Sequence, residues 1–474
     1  MASNREILEA QGYNRKRLVT AFSSGVPGGR ELTTRSPFTP LIVGAALVLV
    51  MLAIAAIMGR FAPVLPANWE NSTLIVVKGT GARYYTINGT LRPVTNITSA
   101  KLLSEPGDYK TSEIDAGTID GIARGTQVGV LGVPDDVPKA ASLHSDLWTT
   151  CATPSGTHTW VATTPSGATS RDATVVTSAG RTWLLSGGVR HEVAADQVGP
   201  VLFTLELDGR APREVTAQWL DTFEEGSPLT PLELENPGAA VAGLPPSLGT
   251  AKLGSVIEVS GDATQQSARA YLVVGDRTIT PLTDLALRLY RISKAGQAVG
   301  SPLKATVADV ADLTVTDKTP YPADWPATVA DSVPLDDFAC SQLVKDDYGK
   351  LRTTLVSLSS ADLARALQGT EQQSGQQSGA AATENGQLPA GDSVTVRGGS
   401  GALVQANAGG TLGAVMLVSD AGTIHGFGED PSTTLGRLGY TQSDVLPIPA
   451  AWTALIPEGS PLDPAGVWAT VGRQ

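Results

Sequence analysis

The chain has 474 residues, 42% hydrophobic, 17% charged and 5% aromatic, with a formal net charge of −12. That length is too great for one ordinary domain. The acidic balance excludes a nucleic-acid binder, which needs a basic surface to meet phosphate.

Residues 1–40 run against that balance, with six basic side chains to three acidic ones, so the remainder carries −15. Arg15, Lys16 and Arg17 form a basic stripe on a predicted amphipathic helix, and Tyr13, Leu18, Val19 and Phe22 sit at spacings that give it an apolar side. The stripe suits either anionic lipid or a cytoplasmic protein partner. Lipid contact alone does not require the apolar side, so partner docking through Tyr13, Arg15, Lys16, Arg17, Leu18 and Phe22 is the favoured reading, with lipid as support. Leu41 to Gly59 is an uncharged apolar run. At about 1.5 Å per helical residue it reaches roughly 28 Å, close to the hydrocarbon thickness of a bilayer. It predicts a single transmembrane helix over 41–59, with the basic flank cytoplasmic and residues 60–474 on the extracytoplasmic side. A cleaved signal peptide is the alternative, but its basic and apolar segments are shorter than these.

Beyond the run, β-rich segments meet Gly-containing turns at four places: ARYYTINGTLRPVT (82–95), RTWLLSGGVRHEVA (181–194), RAYLVVGDRTITPLT (269–283) and GAVMLVSDAGTIHGFG (413–428). Asn88-Gly89, Gly187-Gly188, Gly275-Asp276 and Ala421-Gly422 are the expected turns, because Gly and Asn accept the positive φ of tight hairpins. Short amphipathic stretches such as 97–103 and 282–290 follow, so each unit reads as a hairpin plus a small helix. EGSPLTP (225–231) and EGSPLDP (458–464) differ at one position in seven, each after a tryptophan at the same offset, Trp219 and Trp452. They read as parts of two related units, with chance recurrence of a common turn as the alternative. Residues 369–392, rich in Gln, Ser, Gly and Ala, read as a flexible loop. The expected fold is a single transmembrane helix plus an elongated α/β domain of pseudo-symmetric hairpin-and-helix repeats, near 74–138, 181–231, 269–290 and 413–464, around a more β-rich central part.

Cys151 and Cys340 are the only cysteines. An oxidising compartment favours a disulfide between them; two buried thiols or an intermolecular bond are the alternatives. No Walker-type GxxxxGK loop occurs, since Gly349-Lys350 lacks the upstream glycine that cradles phosphate. His144, His158, His191 and His425 are scattered, without zinc-ligand spacing. GGSG at 398–401 lacks the last glycine of a nucleophile elbow. The adjacent acidic pairs Asp135-Asp136, Asp336-Asp337 and Asp346-Asp347 are poorly placed to face each other across a sugar. The expectation is therefore no catalytic, cofactor or metal site.

Several of these stretches together resemble the EccB family of actinobacterial type VII (ESX) secretion systems. The amino-terminal QGYNRKRLVTAF (11–22), LIVVKGTGARYYTINGTLRPVTNITSAKLL (74–103), GVLGVPDDVP (129–138) and WTTC (148–151) carry the similarity. The resemblance implies that Cys340 is the partner of Cys151. It also implies a structural role in an inner-membrane complex with an EccC-type ATPase, EccD and EccE subunits. The exported domain would then be periplasmic, where copies associate and can meet a mycosin protease. The short amino-terminal segment, the Gln-rich loop and residues 153–170 depart from the family, so the ESX subtype is not assigned. A membrane-anchored cell-envelope hydrolase or wall-binding protein is the alternative; it needs exposed aromatic platforms and a catalytic pair, and aromatics are sparse.

Overall fold

The computed structural model describes residues 3–24, 38–60, 65–209, 212–260, 269–371 and 391–469. The chain divides into two units, Met1–Pro66 with Ile114–Asp120, and Ala67–Glu113 with Gly121–Gln474. The first unit contains two long helices, Asn4–Ser24 and Phe38–Arg60.

The expected transmembrane helix over 41–59 is corrected here. Among the described residues no helix is long and apolar enough to cross a membrane. The side chains described without a break in the second helix run over 40–56, short of the about 20 apolar residues that a crossing requires.

The second unit is a mixed α/β body with several sheets, four of them built on an antiparallel three-strand meander. The first meander is Thr73–Val77, Arg83–Ile87 and Thr90–Pro93; the second is Ala173–Ser178, Arg181–Ser186 and Val189–Val193. The third is Val256–Val259, Arg269–Gly275 and Thr278–Leu282; the fourth is Ala402–Ala408, Thr411–Val418 and Ile424–Gly426. Asn88 and Gly89 both take positive φ, 49° and 69°, the backbone a two-residue primed turn needs.

The repeating unit differs from the expected hairpin plus helix. In the second module Arg213–Glu214 joins the first strand in parallel and Glu224–Glu225 joins the third. In the third module Leu303–Ala305 and Thr314–Val315 do the same. In the fourth, Leu446–Pro449 lies parallel to the first strand and Glu458 bridges to Ile424. In the first, Arg124 bridges in parallel to Leu91. These added segments run from single bridges to four residues, too short to show a clear period-two alternation, and that is why the hairpin alone stood out. EGSPLTP and EGSPLDP are the closing segments of the second and fourth modules.

Modules pack in pairs. Ala173, Leu184, Val201 and Leu202 of the second share a core with Leu272, Leu285 and Leu289 of the third. Leu74, Tyr85, Ala100 and Leu102 of the first share one with Leu403, Leu417, Leu435 and Leu438 of the fourth. In both pairs an arginine caps the partner's helix. Arg288 Nη1 donates to Thr204 O at 3.2 Å and to Glu206 at 2.9 Å. Arg437 donates to Leu102 O at 2.7 Å and to Glu105 at 2.8 Å. A cation at carbonyls left open by a helix end is the favourable arrangement.

A six-stranded sheet completes the body, in the order Ser393–Val396, Gly156–Val161, Trp148–Thr153, Asp337–Lys345, Leu351–Ser359, Thr169–Ser170. Helix Ser360–Glu371 follows the fifth of these strands and takes in the start of the expected loop at 369–392. Most of that loop, 372–390, lies outside the described residues.

Candidate functional site

Helix Asn4–Ser24 carries all six residues singled out for partner or lipid contact, and Tyr13, Arg15, Lys16, Arg17, Leu18 and Phe22 are all exposed. Nine residues, about two and a half turns, separate Tyr13 from Phe22, which puts them on opposite sides of the helix. Phe22, at 87% exposure, shares its side with Leu18 and Val19, and with Ile7 and Leu8, which the sequence reading did not include. Arg15 lies within that apolar side, whereas Arg17 lies beside Tyr13, so the helix presents two different surfaces.

Cys151 and Cys340 form a disulfide, their Cα atoms 4.0 Å apart. The residues face each other across the antiparallel pair of Trp148–Thr153 and Asp337–Lys345, and both are fully buried. Ordinary ladder spacing already brings such opposed residues close enough to bridge.

One position, on the third strand of every meander, faces the closing segment, and the modules fill it with three residue types. In the second module His191 Nδ1 donates to Ser227 O at 2.8 Å; in the fourth His425 Nδ1 donates to Ser460 O at 2.8 Å. A carbonyl acceptor fixes the proton on Nδ1. In the first module the position is Arg92, which donates to Thr126 Oγ1 at 2.7 Å; in the third it is Thr280, whose buried Oγ1 has no partner. The closing segments press on these side chains: a Cβ at Gly226 would lie 2.8 Å from His191 Cε1, and one at Gly459 only 2.3 Å from His425 Cε1. Burial pushes both imidazoles below the ordinary histidine range.

Two modules are anchored to the six-stranded sheet by tryptophan. Trp219 Nε1 donates to Thr150 O at 3.1 Å and Trp452 Nε1 to Thr353 Oγ1 at 3.1 Å. Thr353 in turn donates to Thr222 O at 2.6 Å, which ties both modules to one strand. A cavity of about 440 Å³ lies nearby, lined in part by Gln218, Asp392, Ser393, Thr423 and Pro457. Ser393 Oγ is 2.6 Å from His158 Nδ1, but among the described residues the buried His158 Nε2 has no partner and no third group orients the ring, as a serine nucleophile's base requires. Among the described residues no cluster of three or more His, Cys, Asp or Glu is arranged to hold a metal ion.

Known proteins are similar to this chain in sequence and in fold. The family model described as type VII secretion system ESX-1, transport TM domain B, matches residues 1–471. A protein named ESX-3 secretion system ATPase EccB3, from Mycobacterium tuberculosis (strain ATCC 25618 / H37Rv), is 25% identical over 449 residues, covering 87% of this chain and 79% of its own. Its counterpart of the same name from Mycolicibacterium smegmatis is 27% identical over 420 residues, covering 81% and 74%. Among solved structures, an EccB3 dimer from the ESX-3 core complex superposes with a TM-score of 0.61 at 23% identity, covering 83% of this chain and 99% of that one. A chain of an intact ESX-5 inner membrane complex superposes with a TM-score of 0.61 at 19% identity, covering 98% and 95%. The chain belongs to the EccB family of type VII (ESX) secretion system components.

Proposed function

We propose that this chain is a structural core subunit of an ESX inner-membrane secretion complex, holding the assembly together through contacts on its α/β body and on its amino-terminal helix. The observation that carries this reading is the family match over residues 1–471. The body then stands on the periplasmic side, where copies associate with one another. Helix Asn4–Ser24 docks on a neighbouring subunit through Leu18, Val19 and Phe22, with Arg15, Lys16 and Arg17 supporting it against anionic lipid. The neighbours are an EccC-type ATPase and EccD and EccE subunits, with a mycosin protease within reach of the body. The chain itself hydrolyses no nucleotide, although relatives bear an ATPase name; the lack of a phosphate-cradling loop supports this.

The test is gentle detergent extraction of the tagged full-length protein from its own membranes, followed by native sizing and mass spectrometry. Co-migration with a FtsK/SpoIIIE-type ATPase and a many-pass membrane protein in a particle near the megadalton range is the expected result. A solitary monomer or dimer would restore the cell-envelope alternative. In the same preparation Leu18→Asp with Phe22→Asp is expected to lower recovery of the partners at least about tenfold, since each charge would enter an apolar contact without a partner. Unchanged recovery would dismiss the docking face. ATP turnover by the isolated chain above that of a buffer control would dismiss the non-enzymatic reading.

A further inference from the structure

The four modules fill one structural position with three residue types: Arg92, His191, Thr280 and His425. Two of these side chains are imidazoles, both held below the ordinary histidine value by burial, and their surroundings differ at Nε2. His425 Nε2 lies 2.8 Å from Thr423 Oγ1, which is itself 3.1 Å from Ser419 Oγ. A proton added at His425 Nε2 thus meets a hydroxyl oxygen able to accept it, with a second hydroxyl behind. Among the described residues the buried His191 Nε2 has no partner.

The charged groups around His191 do not make good that lack. Arg190 and Glu192 flank it on the same strand and so point to the other face of the sheet. There Arg190 pairs with Asp221 and Glu225, and Glu192 with Arg181. Glu224, on the closing segment, is exposed. Asp324 is the carboxylate beside the ring; its charge favours the imidazolium, and its Oδ2 accepts from Ser227 N at 2.6 Å. Among the described residues neither of its oxygens is hydrogen-bonded to His191 Nε2, so a proton added there has no acceptor in place.

We propose that the second module carries an acid-sensitive lock: protonation of His191 releases the closing segment 224–229 from the third strand, while the fourth module stays shut on His425. At neutral pH the segment is held by Glu224 N to Gly188 O, Gly226 N to Arg190 O and Leu229 N to Glu192 O, at 2.8–2.9 Å, together with the His191 bond to Ser227. With Gly226 pressed on the ring, the ring cannot turn to find an acceptor unless the segment lifts. The buried neutral form has its pKa depressed, so the stabilisation is complete above the ordinary histidine value near 6.5 and is lost as pH falls below it; burial shifts His425 the same way, and the Thr423 acceptor at its Nε2 is what sets the fourth module apart. A population of protein with the segment lifted therefore grows in acid, with Trp219 and its contact to Thr150 left in place.

Hydrogen exchange of the full-length protein, followed by mass spectrometry at about pH 7.5 and about pH 5 on either side of that value, tests the lock. After correction for intrinsic rates, amides of 224–229 are expected to lose protection by up to about tenfold per pH unit in acid. The closing segments of the first, third and fourth modules serve as internal controls and are expected to keep theirs. Equal loss in all four modules, or no loss in the second, overturns the proposal. His191→Asn keeps an N–H for Ser227 O and cannot titrate, so the acid response should vanish; its persistence also overturns the lock. If that variant fails to fold, the wild-type His191 ring signal followed by NMR decides. Protonation accompanied by loss of protection supports the proposal, and protonation with protection unchanged refutes it.

Discussion

Trp452→Ala is expected to lower the stability of the body by about 3–5 kcal/mol, the range for emptying a buried aromatic site. Trp452 is fully buried in the short helix Ala450–Thr453 and packs edge-on to Trp148, with ring centroids 6.3 Å apart and planes at 87°. Around the pair lie Val161, Leu343, Val404, Val418, Ile448 and Ile456, drawn from the six-stranded sheet and the fourth module alike. No single element can close over the hole because its walls belong to both. The indole also donates to Thr353 Oγ1, so Trp452→Phe, which keeps most of the volume, should still cost about 1 kcal/mol for the lost hydrogen bond. Urea denaturation followed through the transition midpoint measures both. A loss under about 1 kcal/mol for the alanine variant would mean that the site collapses and that the tryptophan is not the anchor described here.

Removing the disulfide is the second large effect. Cys151 and Cys340 are 189 residues apart in sequence, and closing so long a loop in the unfolded chain gives an upper estimate of about 5 kcal/mol in the chain-entropy model. Cys151→Ala with Cys340→Ala is expected to cost about 2–5 kcal/mol. The folded register should survive, because the neighbouring pairs Ser341 with Thr150 and Gln342 with Thr149 also fix it. The bond is fully buried, so a reductant should act only on molecules that have already opened. Intact mass with and without reductant shows the bond directly; two free thiols in the native protein would remove the claim.

Some of this architecture could be read from the chain. Asn88-Gly89 announced its turn because both residues tolerate the backbone they adopt, and the cysteines were few enough for the compartment to point to their pairing. The recurrence of EGSPL after Trp219 and Trp452 marked two segments that do hold equivalent places in the fold. Other features gave no signal. Ala421-Gly422 does lie in the turn between the second and third strands of the fourth meander, the connection that Asn88-Gly89 makes in the first, but the turn of its first hairpin, Gly409-Gly410, both with positive φ, was not singled out. His191 and His425 share a place in the fold with Arg92 and Thr280, whose residue types differ from theirs and from each other, so residue type alone could not align all four. The apolar run at 41–59 looked like a membrane crossing by length and purity, and among the described residues no helix meets that requirement. On the amino-terminal helix, Tyr13 was placed by spacing on one apolar side with Phe22, while nine residues of helix separate the two by half a revolution.

The pairing of modules sets an order for folding. The second and third modules are consecutive in the chain and bury a common core through contacts of modest sequence separation. The first and fourth bury theirs only when residues near 74 meet residues near 462, and the six-stranded sheet must draw strands from 148–161 and 337–396 together before either end is placed. Contacts so distant close slowly, because loop entropy is spent before they form. The middle of the chain is thus the natural nucleus, and the two ends of the body meet last, like the halves of a clasp. A chain emerging amino-terminus first must leave its first module half-covered until its last has arrived.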